Sequence, residues 1–238
     1  MTEIIRLDTE KNNERTTDID ILSTEEILQK INAEDQSVAK VVEKCIPKIS
    51  ILVDKIVERI RIGGRLFYIG AGTSGRLGIL DAAECPPTYG VDNNLVIGVI
   101  AGGNDAMFVA QEGAEDSMEL PVVDLSSYQF SEKDILIGLA ASGRTPYVIG
   151  GLKFGQQLGA LTAAISCVTN AEISKYADYT IEAVTGAEVI MGSTRMKAGT
   201  AQKLILNMIS TSVMIKLGKV YKNYMVDLKP TNKKLVVR

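Results

Sequence analysis

This chain contains five short strand-like runs, and several of them are apolar along their length instead of alternating between apolar and polar residues. Strands with this pattern are covered on both faces, as in a parallel sheet packed between two layers of helices. Segments with helical periodicity separate the five runs, which favours an α/β fold: a three-layer sandwich with a five-stranded parallel sheet. The predicted strands cover residues 65–69, 94–101, 134–140, 160–167 and 179–184.

Helices are predicted where apolar residues recur at steps of three and four. Ser23 and Glu26 form a capping-box pattern at the start of the first helix, and Pro47 is expected to kink the second. The predicted helices cover residues 23–32, 37–61, 74–84, 105–117, 146–158, 171–177 and 195–217.

These elements divide the chain into three parts. Residues 1–45 form an N-terminal helical arm, residues 46–218 contain the whole sheet, and residues 219–238 form a tail. Residues 1–20 are charged throughout and lack the apolar segment of a secretion signal, and no later stretch is apolar enough to span a membrane. We therefore expect a cytoplasmic protein that does not bind membranes.

Two glycine-containing segments each follow a predicted strand and precede a predicted helix. One is Gly70-x-Gly72-x-x-Gly75, and the other runs from Ala140 to Pro146. Free backbone N–H groups and the helix dipole make such a helix start a site for anions. A dinucleotide-binding fold would place an acidic residue at the end of the second strand, where this chain has Gly-Gly-Asn. The two loops therefore indicate a monophosphate held between them, with ordinary strand-to-helix turns as the alternative.

Composition excludes several classes of protein. The chain contains no histidine, which excludes serine-histidine hydrolases and histidine-liganded zinc enzymes. A net charge of −3 creates no field that attracts nucleic acid, so we do not expect it as a partner. Cys45, Cys85 and Cys167 are far apart and indicate neither a disulfide framework nor a Cys-x-x-Cys metal site. Acid–base chemistry must fall to other side chains, carboxylates first among them.

Two acidic positions are candidates for that chemistry. Glu84 comes just before two consecutive prolines, which predicts that its helix ends there. A carboxyl group beside the negative end of a helix dipole holds its proton more readily, which suits a general acid. The alternative is a surface glutamate at a frayed helix end. Glu115 belongs to an acidic group with Glu112 and Asp116, for which a solvated face is the alternative.

Three cations, Arg195, Lys197 and Lys203, occupy the first half of the last predicted helix. The helix dipole disfavours positive charge at a helix start, which concerns the first two most directly. Their placement is explained if they meet an anion.

Four passages carry a more specific signal. They read GAGTSGRLGILDAAECPPTY at 70–89, EGAED at 112–116, AASGRTPY at 140–147 and GSTRMKAGTAQK at 192–203. In these passages the chain resembles the N-acetylmuramic acid 6-phosphate etherase family, which belongs to the sugar isomerase (SIS) fold group. The resemblance runs from about residue 9 to residue 238 and implies a SIS-type αβα sandwich. It also implies a lyase that removes D-lactate from the 3-O position of N-acetylmuramic acid 6-phosphate, in the recycling of cell-wall sugar.

The resemblance implies roles for individual residues. Glu84 matches the family's acid, which protonates the departing lactate, and Glu115 matches its second essential carboxylate, interpreted as the base that takes the C2 proton. No metal or organic cofactor is implied. The predicted contacts to substrate and phosphate are Thr73, Ser74, Ser142, Gly143, Thr145 and Lys197.

The resemblance also implies a homodimer, because SIS domains pair through long apolar helices such as those predicted at 37–61 and 195–217. Members of the family usually continue into a small C-terminal helical domain, which we expect this chain to lack. Two other functions fit the same loops: a SIS-domain sugar-phosphate isomerase and a regulator that binds sugar phosphate without turnover. Release of lactate distinguishes the etherase from both.

Overall fold

The five predicted strands form one parallel sheet in a computed structural model that describes residues 7–111 and 113–227. The strand order is β2-β1-β3-β4-β5, and the first four strands in the chain are buried along almost their whole length. The predicted fold class is therefore confirmed. The strands are β1 Leu66–Gly70, β2 Val96–Ile100, β3 Ile135–Leu139, β4 Leu161–Ser166 and β5 Tyr179–Glu182.

Helices cover both faces of the sheet. They are α1 Thr24–Glu43, α2 Ile46–Arg61, α3 Gly72–Tyr89, α4 Leu120–Ser127, α5 Pro146–Leu158 and α6 Lys197–Lys216. Side chains alternate along a strand, so Tyr68 packs with α2, α3 and α6 while Phe67 packs with α4 and α5. Helix α1 packs against α6 on the outside of the first layer. The result is the expected three-layer sandwich with an N-terminal helical arm.

The order of the strands reverses at β1. The chain runs from β1 outward to β2 and then crosses back to β3 on the other side of β1. Because crossovers between parallel strands are right-handed, the helices that follow β1 and β2 lie on opposite faces. A crevice opens between them at the carboxyl ends of β1 and β3, which is where ligands bind in sheets of this order.

The helix predicted over 105–117 is wrong. The structure has two 3-10 turns there, Asn104–Met107 and Ala114–Asp116. Phe108 and Val109, which helical periodicity would place on a buried stripe, are exposed. Without a buried stripe a short helix gains little from packing, and the next helix, α4, begins only after this segment.

Other predicted helices differ at their ends. The two predicted at 23–32 and from residue 37 are one continuous helix, α1, with the expected capping box at Ser23. Pro47 lies in the first turn of α2, where its missing N–H costs nothing, so the expected kink is replaced by a break between α1 and α2. The segment 171–177 is a 3-10 helix, Glu172–Tyr176.

The segment predicted as a tail begins with a small antiparallel hairpin. Its strands are β6 Val220–Tyr221 and β7 Tyr224–Met225, and the remainder from residue 228 lies outside the described residues. Within the described ranges, none of the helices combines the length and the apolar character that a membrane crossing requires.

The N-terminal arm is tied to the loop that precedes α6. Asn13 donates a hydrogen bond to the carbonyl of Ala187 at 3.5 Å, and the Thr16 hydroxyl donates to the carbonyl of Val189 at 2.8 Å. Both arm residues are buried. The part of the arm that precedes α1 is therefore packed against the rest of the protein.

Candidate functional site

The two glycine loops lie side by side at the crevice. β1 and β3 are paired neighbours, with Gly70 in register with Leu139 at their carboxyl ends. The first loop leads from β1 into α3 and the second from β3 into α5. Because the strands are parallel, both helix starts face the same edge of the sheet. The structure thus brings together the two loops that the sequence singled out.

The first loop is a tight turn with an uncapped helix start. A Cβ atom on Gly70 would lie 2.8 Å from the amide nitrogen of Gly75, so only glycine allows this approach. No side chain caps α3, and its first turn holds no acidic residue. The free N–H groups and the helix dipole therefore make this helix start suited to an anion.

Of the predicted contacts in this loop, Thr73 and Ser74 differ in their environment. Thr73 is half-buried, and its hydroxyl makes no hydrogen bond within the described part of the chain. Ser74 is buried and donates a hydrogen bond to Gln202 of α6 at 2.9 Å. The Ser74 hydroxyl proton is therefore used to join α3 to α6, while the Thr73 hydroxyl is free to meet a ligand.

The second loop is held in place by the segment that follows β4, while two of its hydroxyl groups remain without a partner among the described residues. Gly143 has φ +71°, and its carbonyl accepts a hydrogen bond from the N–H of Ile173 at 2.8 Å. A Cβ atom on Gly143 would lie 2.5 Å from the Cβ of Ala171, so the turn requires glycine. Ser142 and Thr145 are half-buried, and neither hydroxyl bonds another described residue. Both hydroxyls can donate to a phosphate beside the uncapped start of α5.

Glu115 lies beside the first loop. It is exposed in the second 3-10 turn and lines a cavity of about 200 Å³ together with Ala71, Gly72 and Arg76. The Arg76 guanidinium donates to the carbonyl of Met107 at 3.1 Å, which holds the two walls of this cavity together. A carboxylate is thus placed between the first loop and the segment that follows β2. Glu112 of the same acidic group lies outside the described residues.

Glu84 lies elsewhere on the molecule. It is exposed on α3 and lines a cavity of about 150 Å³ between α3 and α6. The expectation that its helix ends there is wrong, because α3 continues through both prolines to Tyr89 and ends on Gly90. Glu84 follows Gly72 by twelve residues, about 18 Å along the helix axis. Within one copy of the chain, Glu84 and Glu115 therefore line different cavities.

Lys197 has a partner within the protein. Its buried ammonium group lies 2.7 Å from a carboxylate oxygen of Glu34, which also binds the guanidinium of Arg15 at 2.9 Å. The hydrogen bond from Arg15, together with that from Lys197, lowers the pKa of Glu34 to about 2. The backbone N–H of Lys197 donates to Glu188 at 2.9 Å, so that carboxylate caps α6. The structure gives Lys197 an internal ion pair, and its contact with substrate stays a prediction.

Several polar residues at the interface of α3 and α6 escaped the sequence analysis. Asp81 on α3 is buried, which raises its pKa, and it accepts a hydrogen bond from Ser210 at 3.0 Å. Gln202, the partner of Ser74, is fully buried. In the sequence, these residues could have been recognised as polar positions on helix faces that are otherwise apolar. Among the described residues, no group of three or more carboxylate or thiol side chains is placed to hold a metal ion.

Comparison with known proteins identifies close relatives. Residues 48–156 match a family model described as the glucokinase regulatory protein N-terminal SIS domain. A Clostridium botulinum (strain Eklund 17B / Type B) protein named N-acetylmuramic acid 6-phosphate etherase is 63% identical over 99% of this chain and 78% of its own length. A protein of the same name from Exiguobacterium sp. is 59% identical over 98% of this chain and 79% of its own.

Solved structures with low sequence identity share the fold. An E. coli CFT073 protein has a TM-score of 0.61 at 14% identity, covering 85% of this chain and 97% of that protein. A phosphoheptose isomerase from Neisseria gonorrhoeae has a TM-score of 0.59 at 13% identity, covering 80% of this chain and 98% of the isomerase. At these identities the likeness shows the SIS-type sandwich alone.

Proposed function

Because the chain belongs to the N-acetylmuramic acid 6-phosphate etherase family, we propose that it is a carbon–oxygen lyase that releases D-lactate from N-acetylmuramic acid 6-phosphate. The observation that carries the proposal is 63% identity over 99% of the chain to a protein with that name. The sugar product is N-acetylglucosamine 6-phosphate, so the reaction belongs to the catabolism of amino sugars.

The two loops supply the phosphate site of this proposal. Thr73, Ser142 and Thr145 offer three hydroxyls without internal partners among the described residues, beside two uncapped helix starts. Gly143 lies in the second loop with φ +71°, a backbone conformation that favours glycine. A doubly charged phosphate gains hydrogen bonds and favourable helix dipoles there. Ser74 contributes by fixing α3 against α6, and its backbone N–H belongs to the first turn of α3.

The carbon–oxygen bond is broken by elimination followed by addition of water. The sugar ring opens to an aldehyde, which acidifies the proton on C2, and Glu115 removes that proton. Lactate leaves C3 as Glu84 protonates the ether oxygen, and water then adds to the resulting enal. Two carboxylates in different environments suffice for these steps, which agrees with the absence of histidine.

The separation of the two carboxylates supports a homodimer with shared sites. Glu84 lies about 18 Å along α3 from the loop of its own copy, so one copy does not join the acid to the phosphate crevice. An apolar groove between α2 and α6 includes Ile49, Val53, Met208 and Ile215 and offers a surface for pairing. Each active site would combine the loops and Glu115 of one copy with Glu84 of the second.

The test is incubation of the protein with N-acetylmuramic acid 6-phosphate in deuterated water, followed by mass spectrometry and an enzymatic lactate assay. We expect lactate and a deuterated N-acetylglucosamine 6-phosphate. Glu84→Gln should lower lactate release by about 10² to 10⁴ while exchange at C2 continues. The control is Glu132→Gln, an exposed position just before β3, at the amino ends of the strands. It should retain full activity.

Two results would contradict the proposal. A product that keeps the lactyl group, with no lactate released, would indicate an isomerase. Binding without any product would indicate a regulator. Full lactate release by Glu84→Gln would remove Glu84 from the role of acid while leaving the reaction itself in place.

A further inference from the structure

The cavity between α3 and α6 contains a lysine and an apolar wall beside Glu84, and a general acid alone would require neither. Glu84 and Lys203 stand at its polar side, and Leu77, Leu80 and Leu206 form an apolar side. Its volume of about 150 Å³ corresponds to about five water molecules, the scale of a three-carbon acid. The cavity thus offers one acid, one cation and an apolar wall within a small volume.

Lys203 is positioned by side chains behind it. With the Asn207 amide oriented so that both of its polar groups are satisfied, its oxygen accepts from the Lys203 ammonium and its nitrogen donates to Asp81 at 3.3 Å. Ser210 donates to the same Asp81 oxygen at 3.0 Å. Asp81 is buried, so the chain from Ser210 through Asp81 and Asn207 is anchored in the core. It directs the lysine head group without neutralising its charge.

Among the described residues, no carboxylate oxygen lies within 4.0 Å of the Lys203 ammonium, although Asp81 is close enough to be influenced by its charge. The ion pairs that the structure contains join other lysines and arginines to carboxylates, and none of them includes Lys203 or Glu84. Lys203 is exposed, which leaves its ammonium group accessible from the cavity. A lysine that is held in place but unpaired can bind an anion from a ligand.

We propose that Lys203 binds the carboxylate of the lactyl group, which makes it a specificity-determining residue of the reaction. The inference rests on the proposed function, which supplies the lactyl ether as substrate. With the carboxylate on Lys203, the methyl group faces the three leucines and the ether oxygen is left to Glu84. Each part of the departing acid then has a chemical counterpart in the cavity.

The phosphate of the same substrate is a poorer occupant. Asp81 and Glu84 add two acidic groups to this cavity, which disfavours a doubly charged anion more than a singly charged carboxylate. The cavity also lies along the middle of α3, away from the free N–H groups at the helix start. The two anionic groups of the substrate are therefore assigned to different places, phosphate to the loops and carboxylate to Lys203.

The test compares the natural substrate with an analogue whose lactyl carboxylate is replaced by a primary amide. Lys203→Gln should lower kcat/KM for the carboxylate substrate by about 10- to 100-fold and leave the amide substrate nearly unchanged. Lys203→Arg should retain most of the preference for the carboxylate. The control Lys133→Gln removes an exposed lysine just before β3, at the amino ends of the strands, and should change neither rate. An equal loss on both substrates would overturn the proposal.

A second measurement separates this inference from the proposed function. If the parent protein releases lactate from neither substrate, the proposed function fails, and binding of free D-lactate is followed by saturation-transfer NMR. A signal in the parent that disappears in Lys203→Gln would still support the carboxylate site. No signal in the parent, or an equal signal in both proteins, would overturn it.

Discussion

The buried ion pair between Glu34 and Lys197 makes a quantitative prediction for stability. Relative to its ordinary value of 4.5, the pKa of Glu34 falls to about 2, mainly through Arg15. A difference of that size corresponds to about 3 kcal/mol of unfolding free energy. Loss of one partner from a buried ion pair costs about 3–5 kcal/mol of unfolding free energy. The guanidinium of Arg15 is exposed, so solvent screening reduces its contribution to the stability. We therefore expect Glu34→Gln to destabilise the protein by about 3 kcal/mol at pH 7.

The pH dependence gives this prediction its sharpest test. A carboxylate with a lowered pKa in the folded state stabilises the fold above its unfolded pKa and loses that effect as the pH falls. The difference between the parent and Glu34→Gln should be constant above about pH 6 and shrink by about 2 kcal/mol at about pH 3, measured by urea unfolding. Glu43→Gln, an exposed position on the same helix, is the control. A difference that stays constant throughout this acid range would refute the assignment of the stabilisation to this charge.

Two further predictions concern the active site. Ser142→Ala should raise KM for the phosphorylated sugar by about 10- to 100-fold, through loss of a hydrogen bond to a charged oxygen, and comparable turnover of the unphosphorylated sugar by the parent would contradict the phosphate site. A refolded mixture of Glu84→Gln and Glu115→Gln should recover about a quarter of the parent activity, because half of the dimers are mixed and each holds one intact site. A mixture that stays inactive would show that each site lies within one copy.

The strands and loops could be predicted because their signals are local. A strand buried on both faces leaves an uninterrupted apolar run, and a glycine turn between such a strand and a helix is visible in a few consecutive residues. The helix at 105–117 could not be judged in the same way. A helix there would need a core to cover apolar residues such as Phe108 and Val109, and the fold leaves both exposed.

The α3–α6 cavity could not be predicted for a different reason. Asp81 and Asn207 are far apart in the chain, and only the packing of the two helices brings them within 3.3 Å. Lys203 stands out in the sequence as a cation in the first half of a helix, but the sequence does not identify its neighbours. Only the motif points to Glu84, because its helix does not end there but continues through both prolines to Tyr89.

The attachment of the N-terminal arm makes the arm behave as a tethered ligand of its own protein. Thr16 bonds the loop before α6, and Arg15 bonds Glu34 of α1. A separate peptide would need a high concentration to make the same contacts. Release of the segment that precedes α1 would remove Arg15 from Glu34 and free the loop around Val189. We therefore expect the local stability of the loop before α6 to depend on residues that precede α1, because Asn13 and Thr16 bond its backbone.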